Sequence, residues 1–165
     1  LYLTDEKRTV DDIHSVILGA DIIYVGGGDV RFMMETWRKT GAYKALIEAY
    51  NSGKIMSGYS AGAVCWFDVG YDDCGPEHSF MFCDCLGILP YCACPHYESD
   101  HWQTFKKAIL NRPEQGLAIE NGAAFIFVDG MIGTIRGNDG GEVWILDKNN
   151  ELCLSKIVDK INRID

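Results

Sequence analysis

One serine stands in the setting that hydrolases use for a nucleophile. Ser60 lies between Gly58 and Gly62 in the run GYSAG, after the apolar residues KIM and before the helix-like AVCWF. A strand that turns sharply into a helix presents its turn residue at the carboxyl edge of a sheet, and the glycines leave room for the turn. The pattern indicates a nucleophile elbow, in which the helix N-terminus and the Ala61 N–H would stabilise a developing oxyanion. As a plain strand–helix turn, the same pattern would imply no chemistry.

A serine nucleophile needs a base to accept its proton. His96 follows the strand-like run YCAC and Pro95, at a strand end where active-site residues collect, and it is the preferred candidate. The other histidines are His14 in a predicted helix, His78 in an acidic loop and His101 at a helix start. These three are expected to be solvated surface residues, and a structural role at the strand end stays an alternative for His96.

The base in turn needs a group that orients it. Glu120 ends the apolar strand-like run GLAIE, where a carboxylate would be partly buried and would need a partner. Asp72 and Asp73 are alternatives, since both follow the elbow helix in a predicted loop. An ordinary turn residue is the other interpretation of Glu120.

A glycine-rich turn precedes the elbow along the chain. The run GGGD at 26–29 follows a strand-like segment but lacks the G-x-G-x-x-G spacing, so a dinucleotide site is not expected. Three glycines still allow the backbone to approach a neighbouring site closely, and their N–H groups would supply a second oxyanion donor.

Zinc binding is a rival interpretation of the cysteines. Cys83 and Cys85 form one C-x-C pair and Cys92 and Cys94 another, with His78 and His96 near them. Structural zinc sites use C-x₂₋₄-C pairs, so no metal and no cofactor are expected. Activity should therefore survive a chelator.

Helix-like and strand-like segments alternate over much of the chain. The predicted elements are a capped helix at 9–20, a strand at 21–28, one or two helices within 30–52 that break near Gly41, a strand at 54–59, a helix from 60, a loop at 68–80, a strand at 91–97, an amphipathic helix at 100–111, and short strands at 116–120, 123–130, 131–137 and within 142–155 joined as hairpins. The fold class is therefore α/β: a three-layer, doubly wound, mostly parallel sheet with an antiparallel C-terminal edge.

Composition narrows the class of protein. The chain has 165 residues, 47% of them hydrophobic, and a net charge of −9, which fits one domain over residues 1–165. No basic patch favours nucleic acid or an anionic membrane, and no apolar run is long enough to span a bilayer. Seven cysteines beside apolar residues indicate reduced thiols, and with no signal peptide visible we predict a cytoplasmic protein.

Four segments taken together resemble the peptidase E family of serine peptidases. They are IIYVGGGD, GYSAGA, PHY and LAIENG, in that order. The resemblance implies a glutamine amidotransferase-like fold related to the flavodoxin-like folds. It implies that Ser60 is the nucleophile, His96 its base and Glu120 the third triad member. By the same resemblance, Gly28 and Ala61 supply the oxyanion-hole N–H groups, and a serine at the elbow points away from an amidotransferase.

The resemblance also sets expectations about substrate and chain. It implies a dipeptidase-like enzyme acting on short peptides through an acyl-enzyme, with dipeptides that begin with aspartate as candidates. The available cations, Arg31, Lys106, Lys107 and Arg112, do not align with the family's basic residues, so aspartyl specificity does not follow. Family members begin with another strand and helix, which this chain is expected to lack. A homodimer is a candidate assembly. The alternative functions are a catalytically degenerate homologue that acts as a binding or assembly module and an esterase that uses the same elbow.

Overall fold

The computed structural model describes residues 1–5, 7–138 and 140–161. The chain divides into two compact units, Leu1–Leu89 and Pro90–Asp165. The first unit alternates helices and strands, and the second is rich in short strands. No helix in the described ranges has the length and apolar character needed to cross a membrane.

The first unit is built around a parallel strand pair with helices in its connections. Its elements in chain order are α1 (Val10–Leu18), β1 (Ile22–Val25), α2 (Val30–Thr40), α3 (Ala42–Asn51), β2 (Ile55–Gly58), α4 (Ala61–Val64), β3 (Phe67–Asp72) and β4 (Met81–Asp84). β1 pairs in parallel with β2, with Ile22 opposite Ile55 and Val25 opposite Gly58. The crossover through α2 and α3 is what allows two strands adjacent in the sheet to run in the same direction.

Local sequence signals set the helix ends in this unit. Thr9 and Asp12 form the predicted capping box at the start of α1, and the Asp29 side chain caps α2 by accepting a hydrogen bond from the Phe32 N–H. Gly41 adopts φ 81°, a left-handed conformation, between α2 and α3. The predicted break near Gly41 is therefore confirmed.

The predicted loop over 68–80 is wrong. β3 occupies its first part and pairs antiparallel with β4, and a 3-10 turn, Pro76–His78, lies between them. The strand is buried along almost its whole length. A Cβ on Gly70 would lie 3.2 Å from the Cys85 sulfur and 3.3 Å from a Val64 methyl carbon, so the glycine marks close packing rather than a turn. The predicted helix from residue 60 is correspondingly short, because the chain is a strand again at Phe67.

The second unit combines a parallel pair with antiparallel strands. Its elements are β5 (Leu89–Cys94), α5 (Thr104–Ala108), β6 (Gln115–Ile119), β7 (Ala123–Val128), β8 (Met131–Arg136), β9 (Val143–Leu146), β10 (Glu151–Cys153) and α6 (Leu154–Ile161). β5 and β6 are parallel, β9 is antiparallel to β6, and β10 is antiparallel to β9. The predicted antiparallel C-terminal edge is confirmed.

In the second unit the sequence predicted the β7–β8 hairpin better than it predicted the helices. β7 and β8 form the predicted hairpin, with Asp129 and Gly130 at φ 50° and 83° in the two-residue turn. The predicted helix over 100–111 is too long, since turns precede α5 and a 3-10 turn, Ile109–Asn111, follows it. α6 was not predicted, and it begins directly after β10.

Candidate active site

The Ser60 backbone has the bend that a nucleophile elbow requires. Ser60 lies between the end of β2 and the start of α4, and its backbone adopts φ 55°, ψ −123°. A non-glycine residue in such a conformation costs about 1–3 kcal/mol and persists only where the surrounding structure enforces it. This strain marks Ser60 as a candidate functional residue.

Gly58 and Gly62 allow the strand and the helix to meet at backbone distance. A Cβ on Gly58 would lie 1.9 Å from the Gly62 carbonyl oxygen, and a Cβ on Gly62 would lie 2.1 Å from the Val25 carbonyl oxygen. Both obstacles are main-chain atoms, which cannot move aside as a flexible side chain can. The sequence prediction that these glycines make room for the turn is confirmed.

The glycine-rich turn after β1 lies directly beside the serine. A Cβ on Gly27 would lie 3.2 Å from the Ser60 Cβ and 3.6 Å from its Oγ. Gly28 has φ 147°, in the region that favours glycine, and Ala61 is fully buried. The first unit therefore brings together three of the predicted site components: the serine, the residue after it and the loop that contains Gly28.

His96 lies in the second unit, two residues after β5, as predicted from the sequence. It also has a left-handed backbone, with φ 56°, and its ring packs edge-on against Trp102 with 5.2 Å between ring centroids. Its Nδ1 lies 2.8 Å from the Asn121 Oδ1. An amide oxygen can only accept, so Nδ1 carries a proton, and in the neutral ring the lone pair that a general base needs is on Nε2.

Asn121 is itself held by a carboxylate. The Asn121 backbone N–H donates to a Glu98 oxygen at 2.8 Å, and its side-chain NH₂ donates to the other. Because the NH₂ group faces the carboxylate, the Asn121 oxygen must face His96. Neither residue was predicted from the sequence, although Asn121 directly follows the predicted acid and Glu98 lies two positions after His96.

The Glu120 carboxylate binds β9 rather than the imidazole. One oxygen accepts from the Glu142 N–H at 2.9 Å and the other from the Trp144 indole N–H at 2.8 Å. The expectation that a carboxylate here is partly buried and needs partners is confirmed. Those partners join the end of β6 to the start of β9, and the role of Glu120 in a triad stays a prediction.

The remaining candidate groups take other positions. His14 Nε2 lies 2.9 Å from a Glu48 oxygen on the surface of the first unit, and His78 lies in the 3-10 turn. Asp72 is not in a loop: it ends β3 and is 2% exposed, and burial raises the pKa of its carboxyl group.

The basic candidates in the second unit pair with acidic side chains. Lys106 pairs with Glu151, and Arg112 pairs with Glu114 at 2.6 Å. These pairings leave neither side chain as a clear recognition group for a substrate carboxylate.

Six of the seven cysteines are buried. All seven are present as thiols, and no group of three or more histidine, cysteine or acidic side chains in the described part of the chain could hold a metal ion. Burial raises the pKa of the Cys65 thiol well above its ordinary value. Cys65, which directly follows the last residue of the elbow helix, is therefore a packing residue.

A serine on a nucleophile elbow in an α/β fold is the arrangement typical of serine hydrolases. The chain belongs to peptidase family S51, whose sequence pattern matches residues 2–135. It is 36% identical to an uncharacterized peptidase of Bacillus subtilis, YgaJ, over 143 residues, which cover 84% of this chain and 61% of the relative. It is also 31% identical to the uncharacterized peptidase Lin0382 of Listeria innocua, over 62% of this chain and 52% of that protein. The chain thus spans about three fifths or less of the length of these relatives.

Two solved structures share the fold. A Listeria monocytogenes protein described as a peptidase E superposes with a TM-score of 0.63 at 23% identity, over 82% of this chain and 68% of the other. A peptidase from an acI-B1 Actinobacterium superposes with a TM-score of 0.68 at 21% identity, over 89% and 62%. The predicted fold class, a mostly parallel α/β fold of the flavodoxin-like and glutamine amidotransferase-like type, is confirmed, as is the predicted resemblance to peptidase E.

Proposed function

We propose that this chain is the catalytic part of a serine peptidase that hydrolyses short peptides. The observation that carries the proposal is the Ser60 elbow, a strained serine enclosed by two glycines that admit no Cβ. A packing role would not require a polar side chain in a left-handed backbone conformation. Membership of family S51 supplies the reaction type, since its curated relatives are described as peptidases.

The reaction divides into acylation and deacylation. His96 Nε2 accepts the Ser60 proton as Oγ attacks the peptide carbonyl carbon, and the oxyanion is held by the N–H groups of Gly28 and Ala61. The imidazolium then donates its proton to the leaving amine, and an acyl-enzyme remains. Water, activated by the same imidazole, releases the acid product. Support comes from the His96 tautomer, which leaves Nε2 as the basic nitrogen.

Asn121 is the residue that we propose holds His96 in this tautomer. Its oxygen lies 2.8 Å from Nδ1, whereas the two Glu120 oxygens already accept from Glu142 and Trp144. Amide groups orient the imidazole in cysteine peptidases of the Cys-His-Asn type, so a carboxylate is not obligatory. The Glu98 carboxylate behind Asn121 polarises the amide and partly replaces the missing charge.

Covalent labelling tests the proposed nucleophile. Incubation of the full chain with a fluorophosphonate probe is expected to give one adduct per molecule, which peptide mass spectrometry locates on Ser60. Labelling and hydrolysis of a dipeptide library should be unaffected by a chelator. An adduct on another residue, or no adduct and no turnover, would contradict the proposal. Turnover of esters without turnover of amides would identify an esterase instead.

Two single substitutions separate the candidates for the third triad member. Asn121→Ala is expected to lower kcat about 10- to 100-fold, because the imidazole loses the acceptor that fixes its tautomer. Glu120→Gln should change kcat by less than about threefold and reduce stability by about 1–2 kcal/mol, since an amide NH₂ would face the Glu142 N–H or the indole. kcat and thermal melting are measured for both. The opposite ranking of kcat losses, with folding intact, would restore Glu120 as the third member.

A further inference from the structure

A buried carboxylate of the first unit is unused by the proposed reaction. Asp72 ends β3 and is 2% exposed. Removal of a carboxylate from water is unfavourable unless hydrogen bonds compensate for it. A hydrophobic residue of similar size would fill the position at a lower cost in free energy. The carboxylate at this position therefore indicates a role other than packing.

The Asp72 side chain binds the first residue of α2. Its Oδ2 accepts a hydrogen bond from the Val30 N–H at 3.1 Å. The first N–H groups of a helix have no partner within the helix, and here side chains supply partners. Asp29 accepts from the Phe32 N–H at 2.7 Å. The start of α2 is therefore attached to the end of β3.

The start of α2 closely follows the glycine turn beside Ser60. Val30 is fully buried and follows the Gly26–Gly28 turn after one residue, Asp29. β3 also packs under the elbow helix: a Cβ on Gly70 would lie 3.3 Å from a Val64 methyl carbon and 3.6 Å from a Val30 methyl carbon. The same strand thus contacts both the elbow helix and the helix that follows the turn.

We propose that Asp72 is a positioning residue. Its hydrogen bond to the Val30 N–H holds the glycine turn close enough to Ser60 for the Gly28 N–H to bind the oxyanion. This inference rests on the proposed function. Without the bond, the turn and the first residues of α2 can shift away from the elbow, and the oxyanion loses part of its stabilisation. Complete loss of one oxyanion donor lowers kcat by about 10²–10³, so displacement of that donor should cost a fraction of this.

Substitutions of both partners test the bond. Asp72→Ala removes the acceptor and is expected to lower kcat about 10- to 100-fold with KM changed by less than about threefold. Asp72→Asn keeps an acceptor oxygen and should restore kcat to within about fivefold of the wild type. Asp84→Ala, at an exposed position on the paired strand β4, is the control and should leave both constants unchanged.

Val30→Pro removes the donor without touching the carboxylate. Proline is favoured at the first position of a helix, and the extended backbone of Asp29, with φ −91° and ψ 117°, is compatible with a following proline. The same loss of kcat is expected, and the double variant with Asp72→Ala should lose no more than either single variant. This second variant keeps the inference testable if Asp72→Ala does not fold.

Affinity for a peptide boronic acid distinguishes positioning from general loosening of the structure. The tetrahedral boronate places an oxygen in the oxyanion hole, so Asp72→Ala should weaken its binding by about the same factor as kcat, while binding of the peptide product changes little. Unchanged kcat and boronate affinity in both Asp72→Ala and Val30→Pro would overturn the inference, as would equal losses in Asp72→Asn and Asp72→Ala. Full activity in a Ser60→Ala variant would instead refute the proposed function.

Discussion

Replacement of Ser60 with alanine is expected to lower kcat for peptide hydrolysis by a factor on the order of 10⁴ or more and to abolish fluorophosphonate labelling. The hydroxyl is the atom that forms the acyl bond, so no rearrangement of the elbow can compensate for its loss. Alanine and serine experience the same strain at φ 55°, and the small side chain fits the same space. The variant should therefore fold like the wild type, and the loss should appear in kcat and not in the melting temperature.

A serine in the strand that leads to the elbow gives the matched control. Ser57 lies in β2 three residues before Ser60, and its hydroxyl donates to the Ile23 carbonyl oxygen at 3.1 Å. Ser57→Ala should reduce stability by about 1 kcal/mol, the net worth of one such hydrogen bond, and leave kcat and labelling intact. A Ser60→Ala protein that keeps more than about a tenth of the wild-type kcat, with purity checked by inhibitor titration, would refute the nucleophile assignment.

The elbow was predictable from the sequence because its determinants are local. Strand, glycines, serine and helix fall within one short segment, and the steric need for glycine at 58 and 62 follows from a tight turn alone. The same holds for the Thr9–Asp12 capping box and for the break at Gly41. Each of these signals involves residues a few positions apart, so no knowledge of distant contacts is required.

β3 could not be predicted in the same way. Asp68, Gly70 and Asp72 are residue types that favour turns, and together they hide the strand. What makes the segment a strand is its environment: Gly70 packs closely against Val64 and Cys85, and Asp72 binds the Val30 N–H. These partners are distant in sequence, so local propensity was overridden by contacts that a single sequence does not reveal.

The hydrogen-bond partner of His96 could not be predicted from the sequence either. Glu120 and Asn121 are adjacent, and the resemblance to peptidase E implied that Glu120 completes the triad. Which of two adjacent side chains reaches the imidazole depends on how the chain leaves β6. Here β9 pairs with β6 and places Trp144 and the Glu142 N–H where they receive the Glu120 carboxylate. A strand more than 20 residues away thus receives the Glu120 carboxylate, and the neutral Asn121 oxygen lies 2.8 Å from His96 Nδ1.

Replacement of Gly62 with alanine is expected to destabilise the fold strongly. The added Cβ would lie 2.1 Å from the Val25 carbonyl oxygen, 2.5 Å from its carbon and 2.6 Å from the Gly26 carbonyl oxygen. Relief of the overlap requires α4 to move away from β1, which breaks the packing of the elbow helix. A loss of more than about 4 kcal/mol in the free energy of unfolding is expected, a large fraction of the stability of an ordinary domain.

Gly26→Ala is the control for this effect, because it adds the same methyl group to the adjoining turn. A Cβ on Gly26 would meet no atom within 4 Å, and its φ is not in the left-handed region. Its free energy of unfolding, measured with urea, should stay within about 1 kcal/mol of the wild type. A Gly62→Ala protein of equal stability would show that the helix does not rest on the β1 backbone. Any Gly62→Ala protein that remains soluble should also be inactive, since the displacement that relieves the clash carries Ser60 and the Ala61 N–H away from the glycine turn.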